Sequence, residues 1–279
     1  MTGRMSERHD DFTGILRRAR HASRISQLDL ALRLGVSQRH VSFVESGRSR
    51  PSRALLAAWL GELDSPPATR NAAMVQAGYA PLFSSADMDD PTLAAATQAL
   101  GRLLDAHDPM PAFVLDADWT IVRANRGGLW LSGLLMPGLG AAGGSPNMLD
   151  AFGEPGGLVD SVVNLEEVGP AMLARLRREA VDRPTLTARV AAFERLLTDR
   201  LGFVGAPRLP PPLPGEVPPL LTPRFRTPLG ILSFFTMFTS FGAPQDVTLA
   251  SLRVEHLVAA DDTTASVIRS AVDAVSAPA

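Results

Sequence analysis

Residues 27–50, QLDLALRLGVSQRHVSFVESGRSR, hold two short apolar-periodic segments with a sharp break between them. Gly35 tolerates the left-handed backbone that ends a helix, and Ser37 has the side chain that caps the next one. The spacing predicts a helix from Gln27 to Leu34, opened by Ser26, and a second from Gln38 to Glu45, ended by Gly47. Upstream, Asp11 to Ala22 carries Ile15, Leu16 and Ala19 at helical spacing, with arginines between them. Downstream, Ser52 caps a helix to Leu63, and Pro66-Pro67 starts a last short one ending near Gly78. Residues 1–80 are therefore expected to form a compact all-helical domain.

Charge follows the same division. Residues 1–64 carry eleven arginines against seven acids, so +4, and the rest carry sixteen against twenty-two, so −6. The chain has no lysine, and its formal net charge is −2. A basic head on an acidic body is the pattern of a nucleic-acid-binding unit tethered to something else. The absence of cysteine excludes disulfides, thiolate metal sites and a cysteine nucleophile. No secretory signal is visible, since the first apolar residues sit among Arg, His and Asp. The longest apolar run, Leu229 to Phe241, has 13 residues and includes Ser233, Thr236, Thr239 and Ser240. A spanning helix needs roughly 20 apolar residues, so this run is read as a strand. The expectation is a cytoplasmic protein with no membrane partner.

Gln27 to Arg50 resembles the Xre/Cro-type helix-turn-helix of phage repressors. Ala31 is small where two helices would cross, Gly35 permits the turn, and Val36, Val41 and Val44 hold the second helix against the first. The resemblance covers about 65 residues and implies binding to double-stranded DNA. The second helix of such a motif enters the major groove with its N-terminal side chains toward base edges. Those are Ser37, Gln38, Arg39, His40 and Ser42. Gln can bond adenine twice and Arg can bond guanine twice. By the same resemblance Gln27, Arg48 and Arg50 would hold phosphate, which positions the domain without specifying sequence. Phe43 either touches a thymine methyl or packs. One motif reads a half-site, so a homodimer with half-sites about one helical turn apart is expected.

Residues 81–92 read as a linker, and a second domain is expected over 93–279. It begins with a helix from about Pro91 to Ala106. The period then changes: Ala112 to Asp116 and Trp119 to Arg123 are strand candidates about an Ala117-Asp118 turn. Asn125 caps a helix through Leu135, and Pro137 to Pro146, which contains Gly138 to Gly144, reads as a loop. Amphipathic helices are expected over Glu166 to Val181 and Thr185 to Arg200, with eight prolines between Pro207 and Pro223. Three strands follow, Arg224–Thr227, Leu229–Phe241 and Thr248–Val258, and then a helix from Thr263 to Val275. Two strands, a helical middle and three strands is a PAS-like order.

The stretches Phe113–Asn125, Asn164–Ala180 and Phe225–Glu255 resemble the MmyB-like regulator ligand-binding domain, over about Pro91 to Val272. Leu165 stands where that family suggests Trp, and His256-Leu257 where it suggests two Phe. The resemblance implies an α+β domain with a five-stranded antiparallel sheet, helices over one face, and a pocket between them for a small apolar, fatty-acid-like ligand. The whole chain is thus expected to be an all-α helix-turn-helix N-terminal domain plus an α+β PAS-like C-terminal domain. Alternate strand residues face opposite sides, and the family pattern turns Leu232, Phe234, Thr236 and Phe238 inward. Phe113, Leu115, Trp130, Met148, Phe152, Met172 and Phe193 are further candidates for the pocket or for ordinary core, which look alike in sequence. Ile231, Phe235 and Met237 face outward, where another subunit, the DNA-binding domain or the helix at Thr263–Val275 would cover them.

His9, His21, His40, His107 and His256 lack metal-ligand spacing, and Glu166-Glu167 and Asp261-Asp262 are adjacent pairs that point apart. No nucleophile elbow, phosphate loop or dinucleotide fingerprint is present. The chain is read as a regulator, not an enzyme, and no cofactor is expected. Two readings remain open: a ligand-responsive transcription factor, or a constitutive DNA binder whose second domain only dimerises.

Overall fold

The computed structural model describes residues 12–137, 146–153, 156–202 and 221–276. The Gly/Ala loop at 138–145, the proline-rich stretch at 207–220 and residues 1–11 lie outside these. The chain divides into two compact units: Met1–Thr92 together with Gly242–Ala250, and Leu93–Phe241 together with Ser251–Ala279.

The N-terminal stretch of the first unit forms α1 (Phe12–Ala22), α2 (Gln27–Leu34), α3 (Gln38–Glu45), α4 (Arg53–Glu62) and α5 (Pro67–Gln76). Their ends follow from side-chain chemistry. The hydroxyls of Ser26, Ser37 and Ser52 accept from the amides of Asp29, His40 and Leu55, which removes one orphan donor from each helix start. Gly35 closes α2 at φ 65°, a backbone state with little penalty for glycine. Leu16, Leu30, Ala31, Val41, Val44, Leu56, Trp59 and Leu60 are fully buried and form the core. Within it Arg20 Nε donates to Glu45 Oε1 at 2.7 Å and Arg20 Nη2 to Glu45 Oε2 at 2.9 Å.

The same unit includes the loop at 242–250. Asp246 Oδ2 accepts from the Ala86 amide at 3.1 Å, and the Val247 amide donates to the Ser84 carbonyl at 2.8 Å.

The second unit opens with a 3-10 turn at Leu93 and α6 (Ala94–His107). Strands β1 (Ala112–Leu115) and β2 (Ile121–Ala124) come next, then α7 (Arg126–Leu135), α8 (Met148–Gly153), α9 (Leu158–Ser161), α10 (Leu165–Asp182) and α11 (Thr187–Leu201). The chain finishes with β3 (Arg224–Thr227), β4 (Gly230–Ser240), α12 (Val247–Ser251), β5 (Arg253–Ala259) and α13 (Asp262–Ser276). The sheet is five-stranded, in the order β2-β1-β5-β4-β3, and every neighbouring pair is antiparallel. Asn125 locks β2 to α7: its Oδ1 accepts from the Gly128 and Ala112 amides, and its Nδ2 donates to the Met110 carbonyl. The turn is so tight that a Cβ on Gly127 would sit 2.0 Å from the Pro109 carbonyl oxygen.

Three expectations change. The strand expected from Thr248 begins at Arg253, because Asp246 Oδ1 accepts from the Thr248 and Leu249 amides and winds 247–251 into α12. Helices do not keep to one face of the sheet: outward-facing Val114 and Val254 are buried, and α6 lies against them through Leu100 and Leu104, with His107 edge-on to His256 at 4.7 Å. The C-terminal helix α13 packs on the inner side, where Ile268 and Val272 join Leu232, Phe234 and Leu257. It leaves Ile231 50% and Met237 58% exposed, with Phe235 half-buried.

Candidate functional site

In the first unit Ser37, Gln38 and Arg39 are exposed at the start of α3, and His40 and Ser42 are half-buried. The Ser37 hydroxyl is engaged as the cap. Two cations lie against the Phe43 ring: Arg39 Cζ is 5.1 Å and Arg48 Cζ 5.8 Å from its centroid. Such stacking orients a guanidinium while leaving its in-plane donors available. Gln27 Nε2 donates to Glu45 Oε2 at 2.8 Å, so α2 and the end of α3 are tied at the residue expected to reach phosphate. Burial alone would raise the Glu45 carboxyl, but the hydrogen bonds from Arg20 and Gln27 outweigh it and hold it below the ordinary glutamate value. Arg50 is exposed; its Nη2 donates to the Ala77 carbonyl and its guanidinium lies over the Tyr79 ring at 5.3 Å, which joins the end of α5 to the loop after α3.

In the second unit a cavity of about 490 Å³ lies between the sheet and α7, α8, α10 and α11. That volume is within the range of small-molecule sites. Strand register explains its floor. Phe113 pairs with Glu255 and Glu255 with Phe238, so these three form one row on the inner face; Thr236 pairs with Leu257 in the next row. All five line the cavity, with Met148 and Phe152 on α8, Met172 and Arg175 on α10, and Phe193 on α11. Seven of the expected pocket residues are therefore on its wall: Phe113, Met148, Phe152, Met172, Phe193, Thr236 and Phe238. Four are not. Leu115 falls in the Arg253 row, beyond the cavity. Leu232 and Phe234 are fully buried where α13 and β3 close over that end of β4, and Trp130 is half-buried against the core.

Arg175 and Glu255 make one part of the cavity wall polar, and Glu179 and Arg253, which do not line it, continue the charged cluster behind that wall. Glu179 accepts from Trp119 Nε1 at 2.8 Å, Arg175 Nε at 2.9 Å and Arg253 Nη1 at 3.2 Å. Arg175 Cζ sits 3.9 Å from the Phe238 ring centroid and Arg253 Cζ 4.1 Å from that of Trp119. Burial would raise Glu179, yet these bonds and charges keep it below the usual value. Burial pushes the Glu255 carboxyl up to about 7, despite Arg175 and Arg253 pulling it down. Sequence reading missed Arg175, Glu179 and Glu255. The available signal was the alternation of β5, which turns Arg253 and Glu255 to the same side as apolar Leu257.

Among the described residues, no group of three His, Cys, Asp or Glu is placed to hold a metal ion, and no helix is long and apolar enough to cross a membrane. Residues 16–69 match the Helix-turn-helix family, and residues 96–271 match the MmyB-like transcription regulator ligand binding domain. No curated protein matches the chain. The solved structure of an RNA-binding Light-Oxygen-Voltage Receptor aligns at 12% identity and a TM-score of 0.24, over 94% of this chain and 62% of that one, which is too weak to carry an argument.

A helix-turn-helix unit joined to a cavity-bearing α+β unit defines the class: a DNA-binding transcription regulator with a ligand-binding domain. The match over 96–271 spans more than half of the chain, and the chain belongs to the family of the MmyB-like transcription regulator ligand binding domain.

Proposed function

We propose that the chain is a ligand-responsive transcription regulator, with residues 1–80 as the DNA-binding domain, 81–92 as linker and 93–279 as the sensor. Gln38 and Arg39 read base edges in the major groove, helped by Ser42 and His40, while Gln27 and Arg48 hold phosphate. The sensor binds a small apolar, fatty-acid-like effector. The regulator acts in the cytoplasm as a homodimer on a two-fold operator. The observation that carries the sensing role is the cavity of about 490 Å³ walled mainly by apolar side chains. A sealed, well-packed core would favour a domain used for dimerisation alone.

Mass spectrometry of organic extracts from the purified protein, with gel shifts on operator DNA before and after extraction, tests this reading. A co-purifying amphiphile whose removal changes operator affinity supports it. A protein that carries no ligand, and whose affinity ignores added medium-chain amphiphiles, supports the constitutive dimeriser. That second reading draws on one observation, the exposure of Ile231 and Met237 on the outer face of β4.

A further inference from the structure

We propose that Asp246 fastens a strap, residues 79–86, through which the effector state of the cavity sets the turn that follows the recognition helix α3. Asp246 is then a positioning residue for DNA binding, a role that rests on the reading of the cavity as the effector site and names how that site is coupled to DNA.

The strap follows α5, and its backbone is tied repeatedly. Tyr79 Oη donates to the Pro51 carbonyl at 2.9 Å, and the Tyr79 amide donates to the Met74 carbonyl at 2.8 Å. Pro51 is buried in the loop between α3 and α4. That loop is anchored on α3 at the Phe43 carbonyl, which accepts from the Arg48 amide at 2.8 Å and the Ser49 amide at 3.1 Å. Asn71 on α5 grips the middle of the strap. Its Oδ1 accepts from the Leu82 and Phe83 amides at 2.8 and 3.0 Å, and its Nδ2 donates to the Phe83 carbonyl at 2.8 Å. The far end is held by the loop at 242–250. Asp246 Oδ2 accepts from the Ala86 amide at 3.1 Å, the Ser84 hydroxyl donates to the same carboxylate, and the Val247 amide donates to the Ser84 carbonyl at 2.8 Å. Hydrogen bonds thus fasten the strap at intervals between Asp246 and the loop that carries Arg48, all inside the first unit.

Covalent continuity brings the cavity to the same carboxylate. The chain reaches Asp246 from β4 and leaves it through α12 into β5. Both strands wall the cavity, β4 with Thr236 and Phe238, β5 with Glu255 and Leu257. α12 ends at Ser251 and β5 begins at Arg253, with buried Leu252 between them, so a shift of β5 is carried into α12. Asp246 Oδ1 holds the first turn of α12 through the Thr248 and Leu249 amides, while Oδ2 holds the strap. Burial would raise the Asp246 carboxyl, but the hydrogen bonds from Ser84, Ala86, Leu249 and Thr248 keep it below the ordinary aspartate value. It is therefore ionised at neutral pH, and bonds to an ionised acceptor are the stronger kind. The clasp has two arrangements: closed, with Oδ2 on Ala86, and open, with Ser84 and Ala86 hydrated. The closed one favours DNA, because it fixes the loop that carries Arg48. An effector with unequal affinity for the two shifts the balance, and DNA shifts it reciprocally.

The test uses the full chain, decanol as an uncharged probe of the cavity, and an operator duplex selected from random sequence by the unaltered protein. Saturating decanol should change amide exchange at Leu82, Phe83 and Ala86 together with operator affinity, by about fivefold or more. Faster exchange should accompany weaker operator binding. Asp246→Asn is nearly isosteric. Its retained oxygen can still accept from Thr248 and Leu249, while its new Nδ2 meets the Ala86 amide donor to donor. The variant should bind decanol like the unaltered chain, exchange the strap amides fast with or without decanol, and change operator affinity with decanol by less than about twofold. A residue that only capped α12 would leave the decanol response intact. Asp246→Asn with the full response overturns the strap. So does unaltered protein whose operator affinity responds to decanol with no change in exchange at 82–86, a measurement that holds even if the variant fails to fold. Either result leaves the effector reading standing. An unaltered chain that does not bind decanol, or whose operator affinity ignores it, overturns the effector reading and the strap with it.

Discussion

Replacing Arg20 with alanine strips the Glu45 carboxylate of its main partner inside the helix-turn-helix core. The Arg20 side chain is 10% exposed and that of Glu45 3%. Arg20 also donates to the Ile25 carbonyl at 3.0 Å, so the change removes three hydrogen bonds and leaves Glu45 with Gln27 alone. Breaking a buried pair by deleting one member costs about 3–5 kcal/mol, because the remaining charge has lost its compensation. That corresponds to a faster exchange of core amides by a factor of about a hundred to several thousand. Hydrogen exchange at Val41 and Val44 isolates this unit from the other. The pH dependence has a definite sign. In the natural chain Glu45 has a lowered folded pKa, so its contribution is present above the unfolded value of 4.5 and lost as pH falls through the folded one. Without Arg20, burial dominates and the folded pKa rises above the unfolded one. The variant's penalty is then absent at acid pH and grows as pH increases toward neutral. The gap in protection between variant and natural chain should narrow from pH 7 to pH 5. Equal protection of α3 at pH 7, or a deficit that acid does not relieve, refutes the assignment of this pair as a structural clamp.

Three further outcomes are expected. Arg39→Ala should lose about 1–3 kcal/mol of operator affinity and relax sequence preference, whereas Arg48→Ala should weaken binding to operator and random DNA alike and reduce the salt slope by about one unit; gel shifts across a salt series separate the two. Met172→Trp should fill part of the cavity, lowering decanol affinity by more than about tenfold while the thermal midpoint stays within a few degrees, so a loss of binding accompanied by unfolding would not count in its favour. Ile231→Lys with Met237→Lys should leave the fold intact, since both side chains are exposed, and shift sedimentation toward the monomer; unchanged association removes this face from the dimer contact.

The helix-turn-helix was legible almost to the residue because its boundaries are set by local chemistry. Ser26, Ser37 and Ser52 each bond an amide three residues ahead, and Gly35 adopts a backbone state that other residues resist. The strands were legible along the chain, and their antiparallel pairing followed from the family resemblance. Register was not, because the pairing of Phe113 with Glu255 joins strands more than a hundred residues apart. The polar end of the cavity therefore stayed hidden, as did the difference between Phe238 on the wall and Phe234 four residues earlier in the core. α12 was misread because Val247, Thr248 and Leu249 favour a strand by side-chain shape, while the Asp246 carboxylate, through two short-range bonds, favours a turn of helix.

The loop at 242–250 has a practical bearing on how this chain can be divided. It leaves β4 and returns to β5, yet it belongs to the unit formed by the first 92 residues, where it bonds Ser84 and Ala86. A gene fragment ending at Thr92 therefore encodes an incomplete unit, with the Ala86 amide and the Ser84 carbonyl deprived of their partners. A chimera that exchanges the sensor for a relative's would also exchange Asp246, and with it a component of the DNA-binding half. The first unit is thus assembled from two separate stretches of the sequence, and any graft has to carry both.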